Sequence, residues 1–202
     1  MLVKICGLNP LRDVQVCLNL KVNFLGFVFF EKSPRNLSLH DLDILKKYDK
    51  KQSSFVVVTV NPTDEFIEQV MGKKIDYIQL HGSESNDRIQ EIKKKSNLKI
   101  IKAVKVKSQK DIEDYKKFTS AEIILFDTPG MEKSIEFPEN LIKQLPKGQN
   151  FALAGGVSVD TVQNLTKLGV GFFDLSSSLE SKIGFKDHNK IKAFMRKIND
   201  QN

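Results

Sequence analysis

Two side chains in this sequence could exchange protons with a substrate, and each closes an apolar run. Cys6 ends Leu2-Val3-Lys4-Ile5 and precedes Gly7, and Asp127 ends Ile123-Ile124-Leu125-Phe126. Cys6 has two readings: a small buried apolar residue, or a free thiol whose reactivity its surroundings decide. A carboxylate after an apolar strand is costly unless paired, hydrogen-bonded or partly solvated. Asp127 could cap a turn with Thr128. It could equally be a general acid whose apolar neighbours raise its pKa, and a strand end facing a pocket favours that reading. Arg35 follows Ser33-Pro34. Its planar fork suits a carboxylate or phosphate, the alternative being a solvated surface arginine.

A further set of residues could bind an anion. Gly155-Gly156 lets backbone N–H groups approach a ligand, and a helix starting near Ser158 would add its positive end. Ser176, Ser177 and Ser178 add hydroxyls from a nearby segment. His81 and Asn61 each follow an apolar run as well. The three histidines, His40, His81 and His188, lack metal-ligand spacing, so no metal site is expected.

These residues need a scaffold that gathers strand ends. Eight runs rich in β-branched and aromatic residues recur: Leu2–Ile5, Phe24–Phe29, Phe55–Val60, Tyr77–Leu80, Lys99–Val104, Ile123–Phe126, Phe151–Ala154 and Gly171–Leu175. Most lack polar alternation, as strands buried on both faces do in a parallel sheet. Amphipathic stretches separate them. Asp41–Tyr48, Asp64–Met71 (stopped by Gly72), Asp87–Lys95, a stretch from Ser158 to Gly169, and Ile191–Ile198 read as helices. Cys17, among Val14, Val16 and Leu18, reads as helix core.

The expected architecture is one α/β domain over residues 1–202, a (β/α)₈ barrel near the lower length limit of about 200 residues. An open doubly wound sheet is the alternative. In a closed barrel the chemistry lies at the C-terminal strand ends, with a phosphate site after strands 7 and 8. That places Cys6, Arg35, Asn61, His81, Asp127, Gly155-Gly156 and Ser176–Ser178 on one face.

Composition narrows the function. The chain has 202 residues, 40% hydrophobic and 28% charged, as in ordinary globular proteins. No run reaches the roughly 18 apolar residues of a membrane span, and the start lacks the pattern of a signal peptide. The net charge of +7 is dispersed among acidic residues, which speaks for a solvated surface rather than a nucleic-acid or membrane partner. Two cysteines cannot build a disulfide framework, and a reducing cytoplasm is the expected home.

The order of motifs carries a resemblance over nearly the whole chain. Lys4-Ile5-Cys6-Gly7, Gly26-Phe27-Val28-Phe29 with Ser33-Pro34-Arg35, Val60-Asn61 and Gln79-Leu80-His81-Gly82 come first. Asp127-Thr128, Ala154-Gly155-Gly156, Asp174 with Ser176-Ser177, Glu180, and Gly184 with Lys186-Asp187 follow. The chain resembles the phosphoribosylanthranilate isomerase family of tryptophan biosynthesis. The resemblance implies a cofactor-free barrel enzyme, monomer or homodimer. Its phosphorylated small-molecule substrate, N-(5-phosphoribosyl)anthranilate, would undergo an Amadori rearrangement. It implies Asp127 as general acid, Cys6 as thiolate base and Arg35 as holder of the anthranilate carboxylate. It further implies Asp174 near the substrate amine, His81 in the substrate site, and Gly155, Gly156, Ser177 and Ser178 around the phosphate.

The chain departs from the family pattern in three places. The segment from Pro129 to Phe137 lacks the usual glycine-rich stretch and is expected to cover the site. Ser178 stands where a glycine is usual and could crowd the phosphate loop. Thr59 stands where Phe is preferred. A different phosphosugar isomerase or epimerase on the same barrel is the nearest rival, and a catalytically inert basic binding protein is the other.

Overall fold

A computed structural model describes residues 1–128 and 137–200. Eight parallel strands close into a barrel in chain order. They are β1 (Leu2–Cys6), β2 (Phe24–Phe29), β3 (Ser54–Thr59), β4 (Tyr77–Leu80), β5 (Lys99–Lys105), β6 (Ile123–Asp127), β7 (Phe151–Leu153) and β8 (Phe172–Leu175). Closure comes from β1 pairing with β8, Lys4 standing opposite Asp174. The open sheet is thereby excluded, and each strand lies within two residues of its expected run.

Helices lie between the strands and after the last: α1 (Val14–Asn19), α2 (Leu39–Ile44), α3 (Asp64–Val70), α4 (Asn86–Ser96), α5 (Gln109–Glu113), α6 (Glu139–Ile142), α7 (Val162–Lys167) and α8 (His188–Asn199). Local chemistry starts them. The Ser85 hydroxyl accepts from Arg88 N–H at 3.2 Å before α4, and Asp187 caps α8 through the Asn189 and Lys190 amides. Ile89 and Ile92 of α4, and Ile191, Phe194, Met195 and Ile198 of α8, supply the buried stripes. Cys17 is buried in α1, as expected.

One expectation needs correction, and one element was not expected. The helix expected from Ser158 starts only at Val162, because Ser158 and Thr161 bond to each other and shape a turn first. The N-cap is therefore Thr161, whose hydroxyl donates to the Gly156 carbonyl. A short hairpin of β9 (Glu180–Lys182) and β10 (Phe185–Lys186) also follows β8. Its strands are too brief to show a period in sequence.

Strand alternation separates two cores. Outward side chains such as Val3, Ile5, Phe27, Val57 and Phe126 pack under the helices, whereas Phe24, Val56, Ile101, Leu125 and Phe172 fill the barrel. The register arranges the interior in layers of four from alternate strands. Phe24, Tyr77, Ile123 and Phe172 form the lowest layer, with Phe24 stacked on Phe172 at 5.0 Å. Above lie Lys4, Val56, Ile101 and Ala152, then Gly26, Gln79, Leu125 and Asp174, then Cys6, Val58, Ala103 and Ala154. Apolar packing thus grades into polar chemistry toward the C-terminal face.

Candidate active site

The upper layers open into a cavity of about 490 Å³. Cys6, Arg35, His81, Asp127, Gly155, Asp174, Ser177 and Ser178 all line it. Side chains at the ends of β1, β4, β6 and β8 are thus brought together with three loops. Gly156 stands just behind the lining, and its carbonyl accepts from the Thr161 hydroxyl at 2.6 Å. Gly155 and Gly156 have φ of 85° and 66°, a left-handed turn that glycine adopts without strain. Ser177 and Ser178 sit in a single 3-10 turn, Ser177–Leu179, facing the same cavity.

Cys6 is half-buried. Burial pushes its thiol up, while the ammonium groups of Lys4 and Lys186 pull it down and Asp174 opposes them. The Ser176 hydroxyl donates to the Cys6 carbonyl at 3.1 Å, fixing the strand end. Across the mouth, Asp127 Oδ2 lies 3.2 Å from His81 Nε2. His81 Nδ1 in turn contacts the Gln79 amide nitrogen at 3.2 Å. A Gln79 amide donating to Nδ1 would leave the ring proton on Nε2, facing Asp127.

Arg35 is not a solvated arginine. Its Nε and one Nη donate to the two carboxylate oxygens of Glu180 at 2.6 and 2.7 Å. Gly7 permits this, because a Cβ there would lie 2.5 Å from Arg35 Cδ. Lys186, also buried, adds a contact to Glu180 Oε1 at 2.8 Å and holds the Ser176 carbonyl at 2.9 Å. Burial pushes the Glu180 carboxyl up, but Arg35 and Lys186 outweigh it and hold it below its ordinary value.

Lys4 and Asp174 form a buried pair at 2.7 Å at the cavity floor. Burial drives the Asp174 carboxyl up against the pull of Lys4. Among the described residues, Asp174 Oδ1 and Gln79 Oε1 are buried side-chain acceptors without a hydrogen-bond partner. Both residues line the cavity, so a ligand with N–H or O–H groups would satisfy them.

Asn61 does not line the cavity. It ties two loops instead, its Oδ1 accepting from Ser83 N–H and its own N–H donating to Glu84. Glu84 is held by Lys102 at 2.8 Å, a buried pair on the outside of the barrel. Thr59 lines the cavity. Residues 129–136 of the expected cover lie outside the described residues. Phe137, the last residue of the expected cover, is buried in the outer core. Among the described residues, no group of three or more His, Cys, Asp or Glu could hold a metal ion, and no helix is long and apolar enough to cross a membrane.

Residues 3–197 match the family model of N-(5'-phosphoribosyl)anthranilate (PRA) isomerase. The chain belongs to the PRA isomerase family. An N-(5'-phosphoribosyl)anthranilate isomerase of Staphylococcus haemolyticus is 31% identical over 206 residues, which cover 98% of each chain. The crystal structure of the Thermotoga maritima phosphoribosyl anthranilate isomerase is 28% identical, covers 99% of both chains and superposes with a TM-score of 0.87. Another PRA isomerase structure, in complex with reduced 1-(o-carboxyphenylamino)-1-deoxyribulose 5-phosphate, is 27% identical over 99% of both chains with a TM-score of 0.84.

In this family member several polar residues of the site have no role assigned from sequence: Lys4, Gln79, Glu180 and Lys186. A signal existed for the first two. Each sits inside an apolar strand two residues before a strand-end candidate, Lys4 before Cys6 and Gln79 before His81. A period of two puts each pair on one face of its strand, so a polar residue there points into the barrel. Glu180 and Lys186 offered no such signal, because they meet Arg35 only through the hairpin.

Proposed function

We infer that the chain converts N-(5-phosphoribosyl)anthranilate to 1-(2-carboxyphenylamino)-1-deoxyribulose 5-phosphate, an Amadori rearrangement in tryptophan biosynthesis. The observation that carries the residue roles is that Cys6 and Asp127 line one cavity together with Gly155, Ser177 and Ser178. Asp127, steadied by His81, gives a proton to the ribose ring oxygen. The C1–O bond breaks and the nitrogen lone pair closes a C=N bond. Cys6 as thiolate then removes the C2 proton, and the freed pair forms the enolamine. Proton return to C1 and loss of the C2 hydroxyl proton give the ketone. The base and the acid need opposite protonation states, a thiolate and a protonated carboxyl group.

Binding follows from the same cavity. The phosphate sits against the Gly155-Gly156 backbone and the Ser177 and Ser178 hydroxyls. Arg35, preset by Glu180, has its remaining η nitrogen for the anthranilate carboxylate. Asp174 Oδ1 accepts from the substrate amine. The reaction transfers protons only, so this reading includes no cofactor and no metal. The reading includes a cytoplasmic monomer or homodimer, and the dispersed lysines support one without nucleic-acid or membrane partners. The decisive experiment adds the purified chain to freshly prepared substrate and follows the loss of its fluorescence. Catalysed decay is expected, and decay no faster than the spontaneous rate would reject the reading.

A further inference from the structure

Cys6 does not meet its surroundings alone. Lys4 lies two residues earlier on β1, on the same inward face as Cys6, and its ammonium binds Asp174, which lines the cavity with Cys6. Lys4 is 1% exposed, so water contributes almost nothing to its solvation. A buried ammonium is retained only when anions face it. Asp174 provides one at 2.7 Å with a single oxygen, the other being unpartnered. Gly26, next to Cys6 in register, keeps the space beside the sulfur open, since a Cβ there would lie 3.2 Å from Sγ. The sulfur thus has room above a fixed positive charge whose own counter-ion is incomplete.

We propose that Lys4 is a positioning residue that supplies the counter-charge for the Cys6 thiolate, with Asp174 setting how much of that charge the sulfur feels. The inference rests on Cys6 being the base. Lys4 and Asp174 answer to each other across the β1–β8 seam, so opposite changes in the two must move the thiol in opposite directions. The other charged groups around the sulfur are Lys186 from β10, which Glu180 offsets, and Arg35 from the loop after β2, also bound to Glu180. Asp127 from β6 and His81, just after β4, act on the Asp174 carboxyl. Lys4 alone among these cations has its carboxylate partner inside the barrel floor.

The test measures iodoacetamide alkylation of Cys6 between pH 6 and 10, resolved by peptide mass spectrometry, in the wild type, Lys4→Met and Asp174→Asn. Cys17 serves as the internal reference, because burial and Asp13 push its thiol up to about 12. Lys4→Met is expected to raise the alkylation midpoint by about one pH unit, a tenfold loss of thiolate below it. Asp174→Asn is expected to lower it, and the acidic limb of kcat/KM should follow each shift. Midpoints that stay at the wild-type value, or that both move the same way, would overturn the proposal. If Lys4→Met does not fold, judged by circular dichroism, Asp174→Asn decides on its own: a midpoint that fails to fall rejects the idea. Alkylation needs no turnover, so a Cys6→Ala variant that remains active would refute the base assignment separately from these shifts.

Discussion

At the scale of single residues, the site divides labour between a sulfur and a carboxyl group. Cys6 stands on β1 and Asp127 on β6, and no sequence motif joins them. General acid and base groups typically supply about 10²–10⁴-fold each. Cys6→Ala should therefore lower kcat by at least about that factor, and Asp127→Asn likewise, since an amide cannot donate an acid's proton. Neither residue belongs to the Gly155, Ser177 and Ser178 cradle. Affinity for the phosphorylated product, read by titration calorimetry, should stay within a few-fold of the wild type in both variants. A Cys6→Ala enzyme with undiminished kcat would remove the thiol from the mechanism. Lost product affinity in either variant would mean that the residue shapes the site instead of moving a proton. These two residues were legible in the sequence because a polar group that ends an apolar run must leave the sheet at the solvent-facing rim.

The β9–β10 hairpin shows what an element adds that its residues cannot. Glu180 receives Arg35 twice, Lys186 once and the Gly184 amide at 3.2 Å, so the segment after β8 is clamped to the loop after β2. Arg35 is thereby aimed before any ligand arrives, which lowers the cost of ordering it on binding. Arg35→Ala should raise KM by the loss of a charge-assisted contact, about 1.5–3 kcal/mol or roughly 10–150-fold, with kcat far less affected. Glu180→Gln should raise KM by a smaller factor, because the arginine keeps its charge but loses its fixed aim. Steady-state kinetics of both variants decide this. A fall confined to kcat would place Arg35 at the reacting bonds, and an unchanged KM would place it outside the carboxylate site. The apolar run of β2, which Arg35 follows, was foreseeable, whereas β9, which carries Glu180, is too short to show in sequence. The partnership of Arg35 and Glu180 was not foreseeable, since 145 residues separate them and only barrel closure makes them neighbours. The start of α7 was misplaced for a similar reason: Ser158 and Thr161 satisfy each other locally, which sequence propensity read as a helix cap.

For the molecule as a whole, the layered interior separates folding from chemistry along the barrel axis. The lowest layer is aromatic and closed: Phe24 stacks on Phe172 and meets Tyr77 edge-on at 5.4 Å. Two layers of mixed character follow, and the reacting groups occupy the top. This polarity could be read from the sequence, because β-branched and aromatic residues start the runs and the reactive ones end them. The closed register could not, since it depends on β8 meeting β1. The separation makes a testable claim about which end does what. Phe172→Leu removes ring volume from a site with no exposed surface, and the rigid walls of the barrel can only partly close around the gap. The expected cost is about 1–3 kcal/mol, seen as a lower urea midpoint with an unchanged slope. At 25 °C the folded fraction would still dominate, so kcat/KM should stay within about twofold of the wild type. If activity fell in proportion to stability while the chain remained folded, the floor of the barrel would be mechanically coupled to Lys4 and Cys6 above it, and the division between the two ends would fail.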